Sequence, residues 1–212
     1  MPDSAQSARQ RRVLNTGSGP LNPMKLHPVF RTLGWTEVRL DIDARVAPDL
    51  VGSVSDMRGL VGDASFDAIW SSHNFEHLHA HEVLPAFREI ARVLKPDGFA
   101  LVTCPDLHAI ATLILEGKAE SAIYTAPAGP ITTIDMLFGH GPSIASGNTY
   151  MAHNTGFTAD RMARYFLDVG FTEVRTGKGG FYDLWALGLM PEARLERLEG
   201  MFSGTEQQAL VR

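Results

Sequence analysis

Between Phe66 and Cys104 the chain holds a complete strand–helix–strand unit, and no other stretch constrains its fold as tightly. Phe66-Asp67-Ala68-Ile69-Trp70-Ser71 and Phe99-Ala100-Leu101-Val102-Thr103-Cys104 are short apolar runs of strand length. From Val83 to Leu94, apolar residues at 83, 84, 87, 90, 91 and 94 line one side of a helix. Lys95-Pro96-Asp97-Gly98 then supplies a basic last turn, a proline and a glycine, all of which end helices. A helix that carries the chain back to the same end of a sheet makes the two strands parallel.

The alternation continues on both sides. Arg11–Thr16, Glu37–Ile42 and, more weakly, Asp49–Gly52 read as earlier strands. Leu107 to Glu116 predicts a helix, and so does Ala159 to Val169, capped by Thr158 and stopped by Gly170. Phe171–Arg175 and Tyr182–Leu187 predict a final antiparallel pair around Gly177–Gly180. Such alternation implies an α/β sheet with helices on both faces. The expected organisation is a disordered leader at residues 1–10, one domain at 11–190 and a charged helical tail at 191–212. Within the domain, residues 107–157 form an insert after the fifth strand. Residues 117–156 carry many Gly, Pro, Ser and Thr without a strong period, which inside a compact domain points to function.

Composition narrows the class. Apolar residues make up 44% and charged residues 20%, enough for an ordinary buried core. The net charge is −5, and no basic run extends beyond Arg9, Arg11 and Arg12, which argues against a nucleic-acid partner. The longest apolar stretches, Phe99–Cys104 and Ala109–Leu115, fall far short of the ~20 residues of a membrane span. With a polar N-terminus and one cysteine, Cys104, the expected location is cytoplasmic.

Open parallel sheets bind ligands at the carboxyl ends of their strands, near the point where strand order reverses. Unusual residues fall at those ends. Gly17-Ser18-Gly19 follows the first strand, where absent side chains let the backbone turn tightly beside a ligand. Asp41 and Asp43 follow the second, where a carboxylate can accept both hydroxyls of a ribose. Asp56 follows the third and can accept from an adenine amino group, with Met57 as an apolar neighbour. Ser71-Ser72-His73-Asn74 follows the fourth. Each piece alone reads as a turn or a cap, and only the ordered set predicts a site. A dinucleotide site wants a third glycine, but Asn22 stands there, with Pro20 and Pro23 interrupting the helix start. That disfavours a nicotinamide enzyme and favours a nucleoside ligand without phosphates.

V-L-N-T-G-S-G, G-W-T-E-V-R-L-D-I-D, S-F-D-A-I-W-S-S-H-N-F-E-H-L and L-K-P-D-G-F-A-L-V-T-C-P-D-L together resemble class I S-adenosylmethionine-dependent methyltransferases, most nearly the small bacterial methyltransferase-domain proteins. The resemblance covers residues 11–106 and, more loosely, 158–175. It implies an α/β, Rossmann-like seven-stranded mostly parallel sheet with helices on both faces and an irregular lid insert after strand five. It also implies S-adenosyl-L-methionine as cofactor, with Gly17 and Gly19 beside the methionine part, Asp41 on the ribose with Asp43 nearby, Asp56 and Met57 near the adenine, and Ser72 and His73 on the floor. Asn15 stands where the family often has an acid that organises the methionine ammonium. The implied activity is methyl transfer to an oxygen or nitrogen of a small-molecule acceptor.

Such a transfer is an in-line displacement in which positioning dominates, helped by a base when the acceptor carries a proton. Histidine suits that task, and His73-Asn74-Phe75-Glu76-His77-Leu78-His79-Ala80-His81 holds four of the eight in the chain. The cluster can be a solvated helix start, part of the acceptor pocket with His73 or His77 as base or orienter, or a metal site using the i, i+4 pairs His73/His77 and His77/His81. No H-E-x-x-H is present, and no downstream cysteine or acid stands at a recognised ligand spacing, so no metal ligand is assigned. In the insert, His153 is a further candidate base and His140 a pocket residue. Tyr124, Tyr150, Asn148 and Asn154 would add polar groups there, and Phe138 and Phe157 apolar walls. Asp106 reads as a helix cap or a pocket acid, and Trp35, Trp70 and Trp185 as core. Two other classes stay open: a non-catalytic cofactor-binding module, motivated by Asn15 and the broken first helix, and a metal-dependent hydrolase built on residues 73–81. The oligomeric state is open, a homodimer included.

Overall fold

A computed structural model describes residues 10–212, so the expected leader, apart from Gln10, lies outside the described residues. Seven strands form the main sheet: β1 (Arg11–Thr16), β2 (Trp35–Asp41), β3 (Leu50–Val51), β4 (Phe66–Ser72), β5 (Leu94–Pro105), β8 (Glu173–Lys178) and β9 (Asp183–Leu189). Their order is β3-β2-β1-β4-β5-β9-β8. All neighbours pair in parallel except β9, which runs antiparallel to both β5 and β8. Strand order reverses between β1 and β4, so their carboxyl ends flank the crevice where such sheets take ligands.

Alternation along the strands sends neighbouring side chains to opposite faces. Leu14, Leu40, Ile69, Ala100 and Val102 pack beneath α1 (Ala80–Val93) and α5 (Ala159–Asp168). Val13, Ala68, Trp70, Leu101 and Leu187 face the other way. There the connection from β1 to β2 contains only one 3-10 turn, Pro28–Arg31, where a crossover helix would ordinarily sit. Pro20, Pro23 and Pro28 account for it, since each lacks an amide hydrogen. The vacated face is filled by the tail: α6 (Glu196–Phe202) and a 3-10 turn at Glu206–Val211 bury Leu198, Phe202, Leu210 and Val211 against it. Full burial of a side chain such as Phe202 is worth about 1.5–3 kcal/mol. His27 clamps the tail, its Nε2 lying 2.8 Å from Gln207 Oε1.

Two expectations shift. The helix stops at Val93, and β5 begins at once with Leu94 paired to Phe66, so Lys95–Gly98 lies inside the strand around a bulge. The insert is also less irregular than its composition suggests. After α2 (Leu107–Leu115) it folds a hairpin of β6 (Ala122–Ala126) and β7 (Gly129–Thr132), then α3 (Thr133–Phe138), α4 (Gly141–Ala145) and a 3-10 turn at Thr149–Met151. Elements of three to six residues are too short to display a period. No helix among the described residues is long and apolar enough to cross a membrane.

Candidate functional site

A cavity of about 1090 Å³ opens over the carboxyl ends of β1, β2 and β4. One wall is built largely from backbone. Gly17 and Gly19 adopt φ of +66° and +62°, and a Cβ on Gly17 would collide with the Asn74 side chain. Glycine is therefore required twice over at position 17. Asp41 holds this turn in place: its Oδ2 accepts from Gly19 N at 2.8 Å and its Oδ1 from Asp43 N at 2.9 Å. Asn15 Nδ2 donates to Glu37 Oε1 at 2.6 Å, which leaves its Oδ1 as the free acceptor on the cavity side. Asp43 lines the cavity, caps the 3-10 turn Ala44–Val46 and pairs with Arg45 at 2.8 Å, which holds its carboxyl below the ordinary value.

The third strand contributes differently from expectation. It ends at Val51, so Gly52, Ser53 and Val54 reach the cavity. Asp56 and Met57, expected beside an adenine, do not line it. Asp56 is exposed and paired with Arg58 at 2.8 Å, and Met57 is fully buried in the core, its N–H given to Glu89. A strand of two residues shows no pattern from which its end can be read, and the sequence reading overshot. Arg39 was missed altogether. Buried in β2, its guanidinium donates to the carbonyl oxygens of Gly19, Val46 and Ala47 at 2.6–3.1 Å, joining the glycine turn to the turn after β2.

Side chains make the opposite wall. Ser72 and His73 line it, and His73 sits at φ +50°, a strained conformation for a side-chain-bearing residue. Its Nδ1 lies 3.3 Å from Glu76 Oε1 and its Nε2 3.5 Å from Asp183 Oδ1. Desolvation works to lower the His73 pKa, but these two carboxylates outweigh it and hold it above the ordinary value. Burial pushes Asp183 up to about 6, with Glu76 and Glu206 adding to the rise and His73 opposing it. Asp183 had no sequence signal. It opens β9 directly after Phe181 and Tyr182, whose φ values of +55° and +65° re-aim the chain toward the cavity.

The expected i, i+4 histidine pairs do not share a helix. Phe75–His77 is a 3-10 turn, His79 caps α1, and His81 lies beyond on its exposed first turn. Instead His77 meets His153 from the insert, with ring centroids 4.9 Å apart. Asn154 N and Thr155 N donate to Glu76 O at 2.8 and 3.1 Å, and Asn154 Nδ2 donates to His77 O at 2.8 Å, which seats the insert on this turn. His77 Nδ1 lies 3.0 Å from Ala152 O and His153 Nδ1 3.0 Å from Met136 O. A carbonyl only accepts, so both rings carry hydrogen on Nδ1, and in the neutral ring Nε2 is the bare nitrogen. Burial holds the His153 pKa below its ordinary value. From the insert, Tyr124, Ile131, Met136, His140, Asn148, Tyr150 and Asn154 line the cavity. Phe138 and Phe157 do not: the first is exposed and the second belongs to the core. Asp106 is a cap, accepting from His108 N at 2.9 Å.

Residues 27–102 match a family model described as a methyltransferase domain. No curated protein matches the chain. Among solved structures, a Thermotoga maritima S-adenosylmethionine-dependent methyltransferase, described as a possible histamine N-methyltransferase, is similar with a TM-score of 0.53 at 16% identity, over 90% of this chain and 84% of that one. A Burkholderia thailandensis 1,6-didemethyltoxoflavin-N1-methyltransferase, solved with 1,6-didemethyltoxoflavin and S-adenosylhomocysteine bound, gives 0.53 at 17% identity over 86% and 72%. An Archaeoglobus fulgidus S-adenosylmethionine-dependent methyltransferase gives 0.56 at 12% identity over 84% and 86%.

Proposed function

We propose that this chain, which carries a class I S-adenosylmethionine-dependent methyltransferase domain, binds S-adenosylmethionine against the backbone-built wall of its cavity and methylates an oxygen or nitrogen of a small molecule held against the histidine wall. One observation carries the reading: both walls face a single cavity of about 1090 Å³, just above the roughly 300–1,000 Å³ of single small-molecule sites and so roomy enough for two ligands side by side. The donor set fits this cofactor. It offers a glycine turn, an acid at the end of β2 and a neutral amide, without the helix N-terminus that a pyrophosphate would want.

When bound, the cofactor supplies a methyl group on a sulfonium, electrophilic without further activation. Asn15 Oδ1 can accept from its ammonium group, and the remaining lone pairs of Asp41 from its ribose hydroxyls. Gly52, Ser53 and Val54 replace Asp56 and Met57 as the flank for its adenine. The rest of the task is alignment of the acceptor, closed in by the insert. A proton leaving the acceptor passes to the bare Nε2 of His77 or His153. His73 has both ring nitrogens turned to carboxylates and orients rather than accepts.

Calorimetric titration with S-adenosylmethionine, S-adenosylhomocysteine and NAD tests the reading, followed by an acceptor screen of small alcohols, phenols and amines. Micromolar binding of the first two without NAD, and turnover of at least one acceptor, is the expected result. A folded protein that binds neither overturns it.

A further inference from the structure

Methyl transfer gives Glu76 nothing beyond its pairing with His73. Its side chain is 1% exposed, and neither carboxylate oxygen has a hydrogen-bond partner. A buried carboxylate without hydrogen bonds is costly, and such groups are ordinarily paired or bound to metal. His73 Nδ1, at 3.3 Å, is close enough for attraction but not aligned for a hydrogen bond. Two further groups beside it are His77 and His153, and their Nδ1–H groups are both spent on main-chain carbonyls. That second contact is the one that fixes the tautomer and orientation of metal-binding histidines, leaving Nε2 as the ligand atom. One ligand atom from each of Glu76, His77 and His153 lies within 4.8 Å of the others. Neighbouring ligand atoms around a tetrahedral ion at about 2.1 Å are about 3.4 Å apart, so the set closes once side-chain rotation brings its widest pair in by up to about 1.4 Å.

We propose that Glu76, His77 and His153 bind a divalent transition-metal ion. Two imidazoles and one carboxylate suit zinc, iron, cobalt or manganese rather than magnesium or calcium, which prefer oxygen. Three protein ligands leave at least one position open, and His77 and His153 line the cavity, so an oxygen or nitrogen of the acceptor can complete the coordination. This last role rests on the methyl-transfer reading and replaces the proton-accepting role of His77 and His153, whose Nε2 lone pairs the ion would take; ion binding itself does not rest on it. Sequence spacing could not reveal the set, because it joins the turn before α1 to the far end of the insert.

The test titrates the metal-free full chain with Co²⁺ and with Zn²⁺, following heat and the Co²⁺ ligand-field absorption. One ion per chain is expected, with a Kd of about 10 μM or below. His153→Gln and Glu76→Gln should each weaken it by about 100-fold or more. His81→Ala, which breaks the exposed stacked pair His79/His81, should leave it unchanged. A parallel titration of every variant with S-adenosylmethionine reports on the fold and on the cofactor wall separately. Wild-type binding weaker than about 1 mM overturns the proposal, as does tight binding that survives both substitutions in folded protein or disappears with His81→Ala.

Discussion

The two walls of the cavity are built by different means. The glycine wall is local: β1, β2 and β3 end side by side, and the turns that follow them are tied together by Asp41 and Arg39. The histidine wall is assembled across the chain, from the turn after β4, the insert near residue 153 and the start of β9. Geometry at the first is set by backbone that cannot easily move. At the second it depends on contacts between segments distant in sequence, and those gather five titratable side chains, His73, Glu76, His77, His153 and Asp183.

If the walls serve different ligands, substitutions should separate them. The largest effect belongs to the histidine wall. His77→Gln should lower methyl transfer to any acceptor found in the screen by about 10²–10⁴-fold. Cofactor affinity, measured by calorimetry, should stay within about twofold, because surface-like changes away from a contact fall within about 0.5 kcal/mol. Equal losses in both would mean that the walls are not separate. Gly17→Ala tests the other side. It forces a Cβ into Asn74 at positive φ, so left-handed strain of about 1–2 kcal/mol adds to overpacking of about 1–3 kcal/mol. Cofactor binding should be lost at micromolar concentrations, and urea unfolding should show the matching destabilisation. Asp41→Ala should weaken the cofactor by about 1–3 kcal/mol, the range of charge-assisted hydrogen bonds. An unchanged affinity in folded protein would remove Asp41 from the ribose.

The same contrast explains what could be read from the sequence. β1 falls on its expected residues, α2 and α5 match within one residue at their ends, and the terminal antiparallel pair is in place, because periodicity and caps are local signals. Most of the glycine wall was legible for that reason. Its failures were Arg39, which no local pattern marks, and Asp56 and Met57, which were placed on the cavity because the shortest strand hides where it ends. The histidine wall was legible only as an inventory. His153 was named as a candidate and His77 as another, but nothing in the spacing of residues 73–81 placed them against each other. Asp183 and the tail's packing over the sheet depend on tertiary contacts alone, and both lay beyond the sequence.

The smallest predicted effect concerns pH, and it keeps the comparison clean. Away from both walls, His27 is buried under the tail, where its Nδ1 accepts from Val29 N and its Nε2 donates to Gln207. Burial, with Arg31 adding to it, lowers its pKa below 6.5 despite Gln207 and Glu206. In the window between that lowered value and 6.5 the unfolded chain therefore binds more protons than the folded one. The contribution of His27 to stability should be full above pH 6.5 and fall as the pH drops toward the folded-state value. Between pH 7.5 and 5.5 the urea midpoint of wild type should fall relative to that of His27→Gln, which has no proton to take up. Parallel declines would mean that His27 is not the group responsible. A decline in methyl transfer that exceeds this loss over the same range would then have a source other than unfolding at the tail.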